Sequence, residues 1–319
     1  MAVLFLALFF GVVIGFLGFL PQKFVKLTGR LSFAGVVVLI GSMGARIGFD
    51  PGLMQSLAMF GWQALVLAIT AVLGSLTVVW LLEKLMFKPA AQDAGLRELQ
   101  EAEVAREANL DNVSQSRVSY ALTYLILGSL ALGIGAGYWV IPSSAGQLLG
   151  VATNWALYLT LWAVGVDLGR SREILGKVLE MGWKVLLAPL GVAVGSIAGA
   201  VLGGFILNLP SNEAAAVGAG FGWYSLSGVL LTQIYSVKVG TIAFLSNVFR
   251  ELIAVITIPA LAKRVGPMAA VAPSGATAMD TTLPLVAASA GSHTALVGFV
   301  SGFCLSGMVP FLVPLLVKL

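Results

Sequence analysis

The chain has 319 residues, 59% of them hydrophobic and only 10% charged, with a mean hydropathy of +0.99 and a formal net charge of +4. A soluble chain carries roughly a quarter charged residues, so most of this surface must face lipid. One Cys excludes a disulfide framework, and one His with one Cys cannot build the usual metal clusters.

In chain order, apolar runs long enough to cross a bilayer core of about 30 Å as helices fall at 1–20, 31–49, 60–82, 119–141, 151–168, 184–207, 239–262 and 293–317. They are apolar all round, unlike the alternating strands of a membrane barrel. No Lys or Arg precedes the first run and no small-residue cleavage site follows it, so it reads as a membrane helix and not a signal peptide. Two further stretches, 214–236 and 268–290, are apolar but broken by Gly and Pro. The hydrophilic segment 84–117 is rich in Leu, Arg, Glu and Ala and reads as a solvated helical linker.

Basic residues set the orientation. They cluster in the turn at Lys23, Lys26 and Arg30, in the linker from Lys84 to Arg117, and in the loop from Arg170 to Lys184. Residues 141–150 and 208–213 hold none. All three basic segments fall inside if the N-terminus lies outside. The excess of Lys and Arg therefore needs no nucleic-acid partner.

An offset of 121 residues pairs Gly44 with Gly165, Gly48 with Gly169, Gly61-Trp62 with Gly182-Trp183, Gly74-Ser75 with Gly195-Ser196, and Pro21 with Pro142. Each unit holds three spans, an odd number, so the second enters the membrane from the opposite side, as in the inverted repeats of many secondary transporters. A weaker offset of 55 pairs Gly220 with Gly275, Phe244 with Phe299, Ser246 with Ser301 and Pro259 with Pro314. The expected fold is an all-α polytopic membrane protein with eight crossings, two re-entrant hairpins and both termini outside. Ten crossings result if both broken stretches span. The expected organisation is a first three-helix unit at 1–83, a cytoplasmic linker at 84–118, an inverted second unit at 119–209, and a transport core at 210–319 built from units 214–263 and 268–319.

Ionisable groups at membrane depth cost about 2.5–3.5 kcal/mol on insertion scales and so usually line a polar path. Asp280 lies in Gly275-Ala276-Thr277-Ala278-Met279-Asp280-Thr281-Thr282-Leu283-Pro284, a composition that breaks a helix. Its bland reading is a helix cap; its functional reading is an acid that holds an ammonium group, beside free backbone N–H groups that hold a carboxylate. Its counterpart runs Gly218-Ala219-Gly220-Phe221-Gly222-Trp223-Tyr224-Ser225-Leu226-Ser227-Gly228. There Trp223 and Tyr224 either stack on an ammonium group or anchor a loop at the interface. Gly222, Gly275, Ser225, Ser227, Thr277 and Thr281 supply backbone and hydroxyl contacts to a substrate. Arg250 and Glu251 fall in mid-span, pointing about 100° apart, with Asn247 on the Glu251 face. They serve either a structural ion pair or a gate. Asp50 and Arg46 close the second span at an Asp-Pro-Gly turn. Asp167, opposite Arg46 in the repeat, reads as a capping or paired carboxylate, and His293 as interfacial. No phosphate-cradling Walker glycine loop is present. The chain reads as no enzyme, with no cofactor and no metal; the slim enzymatic rival is a membrane serine protease using Ser227 and His293.

Through the stretch from Gly220 to Gly228, through Ala243-Phe244 with Arg250-Glu251 and Ile258-Pro259, and through Gly275-Ala276-Thr277 with Met279-Asp280 and Leu283-Pro284, the chain resembles the bacterial lysine exporter family of the LysO or YbjE type. The resemblance implies export of L-lysine, and of close analogues such as thialysine, across the bacterial inner membrane. It implies essential acids at membrane depth, matched here by Asp280 and, in a register shifted by one residue, by Asp50. Where members often carry a Glu after the Ser-Gly-x-x-x-Thr run and an Asp before the Arg-Glu pair, this chain has Gln233 and Asn247.

Lysine carries one net positive charge, and moving it outward against an inside-negative potential costs about 2.3 kcal/mol per 100 mV. Exchange for a proton cancels that cost. One carboxylate can bind an ammonium group and a proton in turn, which makes Asp280, with Glu251 and Asp50 as further candidates, the expected coupling site. Exposed carbonyls and hydroxyls suit sodium as well. The rival from another class is a passive cation channel or a lysine sensor. The expected partners are lysine, protons and the lipid bilayer, and a homo-oligomer is compatible with all of this.

Overall fold

The computed structural model describes residues 2–17, 22–86, 125, 128–141, 146–170 and 183–319, and all regular structure among them is helical. The helices are α1 (Ala2–Leu17), α2 (Gln22–Gly48), α3 (Pro51–Gln55), α4 (Leu57–Met86), α5 (128–139), α6 (Gly146–Arg170), α7 (Leu187–Ile206), α8 (Ser211–Gly218), α9 (Tyr224–Ile234), α10 (Val237–Arg264), α11 (Leu283–Ala290) and α12 (Ser292–Leu316). Short 3-10 turns stand at Trp183–Leu186 and Gly275–Met279. Among the described residues five helices are long and apolar enough to cross a membrane: Leu57–Leu85, Leu149–Val166, Leu187–Ile206, Val237–Arg264 and His293–Leu316.

Two local expectations change. The basic turn expected at Lys23, Lys26 and Arg30 is helix, because α2 begins at Gln22. The Asp50-Pro51-Gly52 turn is a helix start: Asp50 Oδ1 accepts from the N–H groups of Gly52 (2.9 Å) and Leu53 (3.1 Å) and caps α3. Proline suits that first turn because it has no N–H to leave unpaired. Most of the 84–118 linker lies outside the described residues.

Glycines let these helices approach backbone to backbone, as small residues do in membrane bundles. A Cβ at Gly74 of α4 would collide with the carbonyl of Gly195 in α7, and one at Gly195 with the carbonyl of Gly74. Gly199 lies against Thr70, four residues earlier in α4, so α4 and α7 run antiparallel. Gly11 and Gly15 of α1 meet Trp162 and Val166 of α6, and these two helices run parallel. Gly44 and Gly48 of α2 meet Leu130 and Ile134 of α5 in the same parallel sense. At the 121-residue offset Gly74 and Gly195 meet each other, and Gly44 and Gly48 lie against α5 as Gly165 and Gly169 lie against α1.

The first broken stretch leaves α8 at Gly218, turns through Phe221 (φ 49°) and Gly222 (φ 95°), and resumes as α9. Its far end returns to its beginning: Tyr235 Oη donates to Glu213 Oε1 at 3.0 Å. Asn212 Nδ2 donates to the Val317 carbonyl at 3.0 Å, which places the end of α12 beside the start of α8. The end of α12 therefore lies with the start of α10; Arg264 ends α10 and Ser292 begins α12. Between them the second broken stretch passes through Gly275 (φ 59°) and returns as α11. Asn247, Arg250 and Glu251 stand midway along α10, between the two breaks.

Candidate functional site

The two breaks touch. The Ala276 N–H donates to the Phe221 carbonyl at 2.8 Å, and a Cβ at Gly275 would collide with that same oxygen. Phe221 and Ala276 are themselves related by the 55-residue offset. Glycine at positive φ is required at Gly222 and Gly275 because an L side chain is strained there.

Asn247, 3% exposed, holds the first break. Its Oδ1 accepts from the Gly222 N–H (2.6 Å), and its Nδ2 donates to the Ala243 carbonyl (2.8 Å) and Ser227 Oγ (3.1 Å). The Ser227 hydroxyl donates in turn to the Trp223 carbonyl at 2.9 Å. An Asp in this place would keep the bond to Gly222 and lose both donations. These bonds make Asn247 a clamp on the break.

Most N–H groups of the first break are engaged. Those of Gly220, Phe221, Trp223 and Tyr224 donate to carbonyls two to three residues earlier, and that of Gly222 donates to Asn247. The N-terminus of α9 carries no side-chain cap, and buried Ser225 lies in its first turn. Trp223 is half-buried at the helix start, and Tyr224 packs edge-on against Phe244 with centroids 5.6 Å apart.

The second break carries the acids. Glu251, 6% exposed, lies within electrostatic reach of Asp280 and of the Thr281 side chain. Asp280 reaches the surface of the chain, and its Oδ1 accepts from the Thr281 N–H at 2.5 Å and faces the Thr281 hydroxyl at 3.3 Å. The Thr281 hydroxyl lies near both carboxylates, and its single proton can serve only one at a time. Thr277 donates to the Ser274 carbonyl at 2.8 Å and supports the turn from behind. Two close carboxylates of unequal burial can in chemical terms hold one ammonium group or share one proton.

Arg250 faces away from this pair. It is 2% exposed and donates to three neutral oxygens: Ser196 Oγ (2.8 Å) and the carbonyls of Ala272 and Pro273 (both 3.0 Å). The hydrogen bonds it makes are not those of an ion pair. Ser75, 121 residues before Ser196, also donates to the Ala272 carbonyl at 3.3 Å. Reading the sequence missed Ser75 and Ser196; their place beside the repeat glycines was the available signal. Asp50 and half-buried Arg46 lie at the end of α2, where the Asp50 carboxylate serves its cap. Asp167 falls within α6, and its side chain lies outside what the structure describes. His293 is exposed at the start of α12, while the Ser227 hydroxyl is engaged by Trp223 and Asn247.

The profile of the family described as lysine exporter LysO matches residues 127–317, well over half of the chain and all of both breaks. The chain belongs to the lysine exporter LysO family. It is similar to the lysine exporter LysO of Escherichia coli K12, 37% identical over 199 residues, which is 62% of this chain and 65% of that protein. It is also similar to a protein of Haemophilus influenzae named as a putative lysine exporter, 30% identical over 191 residues, or 59% of this chain and 94% of that one. No solved structure matches the chain. Within the LysO family match lie Asn247, Arg250, Glu251, Thr281 and Asp280, the residues that build the site.

Proposed function

We propose that this chain is a secondary active transporter that exports L-lysine from the cytoplasm in exchange for protons. The observation that carries the reading is the carboxylate pair, Glu251 and Asp280, which lie within electrostatic reach of each other beside a broken helix, with Thr281 bonded to Asp280. The family match supports lysine as the substrate. Lysine's ammonium group neutralises one carboxylate as it binds. When lysine leaves to the outside, a proton takes its place and returns inward, so the cycle moves no net charge. The uncapped start of α9, with Ser225, offers backbone N–H groups to the lysine carboxylate.

The proposed topology is eight crossings and two re-entrant hairpins in the bacterial inner membrane, with the termini outside and a three-helix unit on either side of the linker. Support comes from the return of Tyr235 to Glu213 and from the antiparallel contact of Gly74 with Gly195. In this arrangement Lys84, Arg170, Lys263 and Arg264 share the cytoplasmic side.

The test is counterflow of labelled lysine into proteoliposomes preloaded with unlabelled lysine, for wild type and Asp280→Asn at two internal pH values. Saturable, pH-dependent uptake that Asp280→Asn abolishes is the expected result. Uptake indifferent to pH but dependent on sodium would move the coupling to sodium. Flux without saturation or counterflow indicates a channel, and lysine binding without flux indicates a sensor; either outcome sinks the exporter reading.

A further inference from the structure

Arg250 and Glu251 are consecutive on α10, yet both face the second broken stretch. Glu251 lies within electrostatic reach of Thr281 and Asp280 on the outgoing limb, and Arg250 takes the Ala272 and Pro273 carbonyls on the incoming limb. The tip between these limbs carries Gly275, whose Cβ position lies 3.2 Å from Arg250 Nε. The guanidinium's third bond goes to Ser196 of α7, so the arginine also ties the tip to the helix pair α4–α7. Among the described residues its charge is met by oxygen dipoles alone, an expensive arrangement in a buried place and one that a hydrocarbon side chain would avoid.

We propose that Arg250 is a positioning residue for transport, a pin that fixes the tip of the second broken stretch so that Thr281 and Asp280 are presented to Glu251. The proposal rests on the lysine-carrier reading for its transport consequence but not for the geometry. Arginine is required because its planar fork meets oxygens lying in three fixed directions at once. Lysine at this position keeps the charge and loses the fork. A residue needed only for stability would lower the folded fraction, hence Vmax, and leave the KM for lysine alone. A pin instead raises KM, because the carboxylates no longer converge on one ammonium group.

The experiment compares wild type, Arg250→Lys and Ser196→Ala in lysine counterflow, together with hydrogen exchange of the peptide containing Ala276 in the same preparations without lysine. Arg250→Lys is expected to raise KM about tenfold and to speed exchange at Ala276 by a similar factor; Ser196→Ala is expected to do both more weakly. Wild-type KM and exchange in Arg250→Lys would overturn the pin. If Arg250→Lys does not fold, Ser196→Ala decides by the same two readouts. Should wild type carry no lysine, the transporter reading falls, and the exchange arm still tests the pin by itself.

Discussion

The phenol of Tyr235, at the end of α9, donates to the Glu213 carboxylate in the first turn of α8 at 3.0 Å. A stretch of more than twenty residues therefore begins and ends at one place, with its break at the far tip. The hydrogen bond and charge of Glu213 favour the neutral phenol and hold Tyr235 above the usual phenol range. With the folded value raised, the contact is intact below the ordinary phenol range and is lost only as pH rises through the elevated value. Physiological pH leaves the contact closed.

This geometry predicts sidedness. With Cys304 replaced, single cysteines at Glu213, Tyr235 and Gly266 should fall into two classes toward an impermeant maleimide. Positions 213 and 235 should label from outside and position 266 only after permeabilisation. Labelling of 213 and 235 from opposite faces would establish ten crossings.

Asn247 predicts a stability effect with a chemical signature. Bonds between membrane helices average about 0.6 kcal/mol, and Asn247→Ala removes two short bonds to the first break and one within α10 and strands the Gly222 N–H, for about 2 kcal/mol in all. Asn247→Asp should fall between wild type and Asn247→Ala, since it keeps only the bond from Gly222. Unfolding midpoints in detergent measure this order.

Gly74→Ala and Gly195→Ala should each cost about 2 kcal/mol by overpacking, because the new methyl group meets backbone that cannot step aside. Gly61→Ala is the control in the same helix. Among the described residues no atom beyond its own stretch of helix lies within 4 Å of its new Cβ, so helix propensity should leave it neutral or stabilised by up to about 1 kcal/mol. A cost at Gly61 equal to that at Gly74 would refute the close crossing.

Thr281→Val keeps the shape of the side chain and removes the hydroxyl near both carboxylates. It should raise the KM for lysine about tenfold, as loss of a hydrogen bond to a charged group does, and shift the pH dependence of exchange. Thr281→Ser should restore both. A wild-type pH profile in Thr281→Val would mean that the two acids act independently.

Asp50 separates capping from transport. Asp50→Ser retains a good N-cap and should retain transport, while Asp50→Ala should cost about 1 kcal/mol of stability. Loss of counterflow in a folded Asp50→Ser would return Asp50 to the transport path.

The glycine register and the broken stretches were legible in the sequence for different reasons. Gly74 and Gly195 fall in register because both helices need a small residue where their backbones cross, a requirement written at fixed spacing. Gly222 and Gly275 were legible because positive φ demands glycine. The start of α2 at Gln22 was not, since Lys23, Lys26 and Arg30 look like a turn by charge while their backbone is helical. The bonds of Arg250 were not legible either, because a sequence displays charges but not the carbonyl oxygens that solvate them.

By itself the sequence determined that this is an all-helical chain with apolar runs of membrane-spanning length, that two of its stretches are broken, and that few residues could do chemistry at depth. Those conclusions follow from hydropathy, spacing and the backbone freedom of glycine, all of which are local. Only the tertiary structure decided that Tyr235 returns to Glu213, that Arg250 meets neutral oxygens, and that Glu251 lies within electrostatic reach of Asp280. Each of those depends on which groups far apart in the chain share a buried space, and a hydrogen bond depends on distances and directions that residue order does not record.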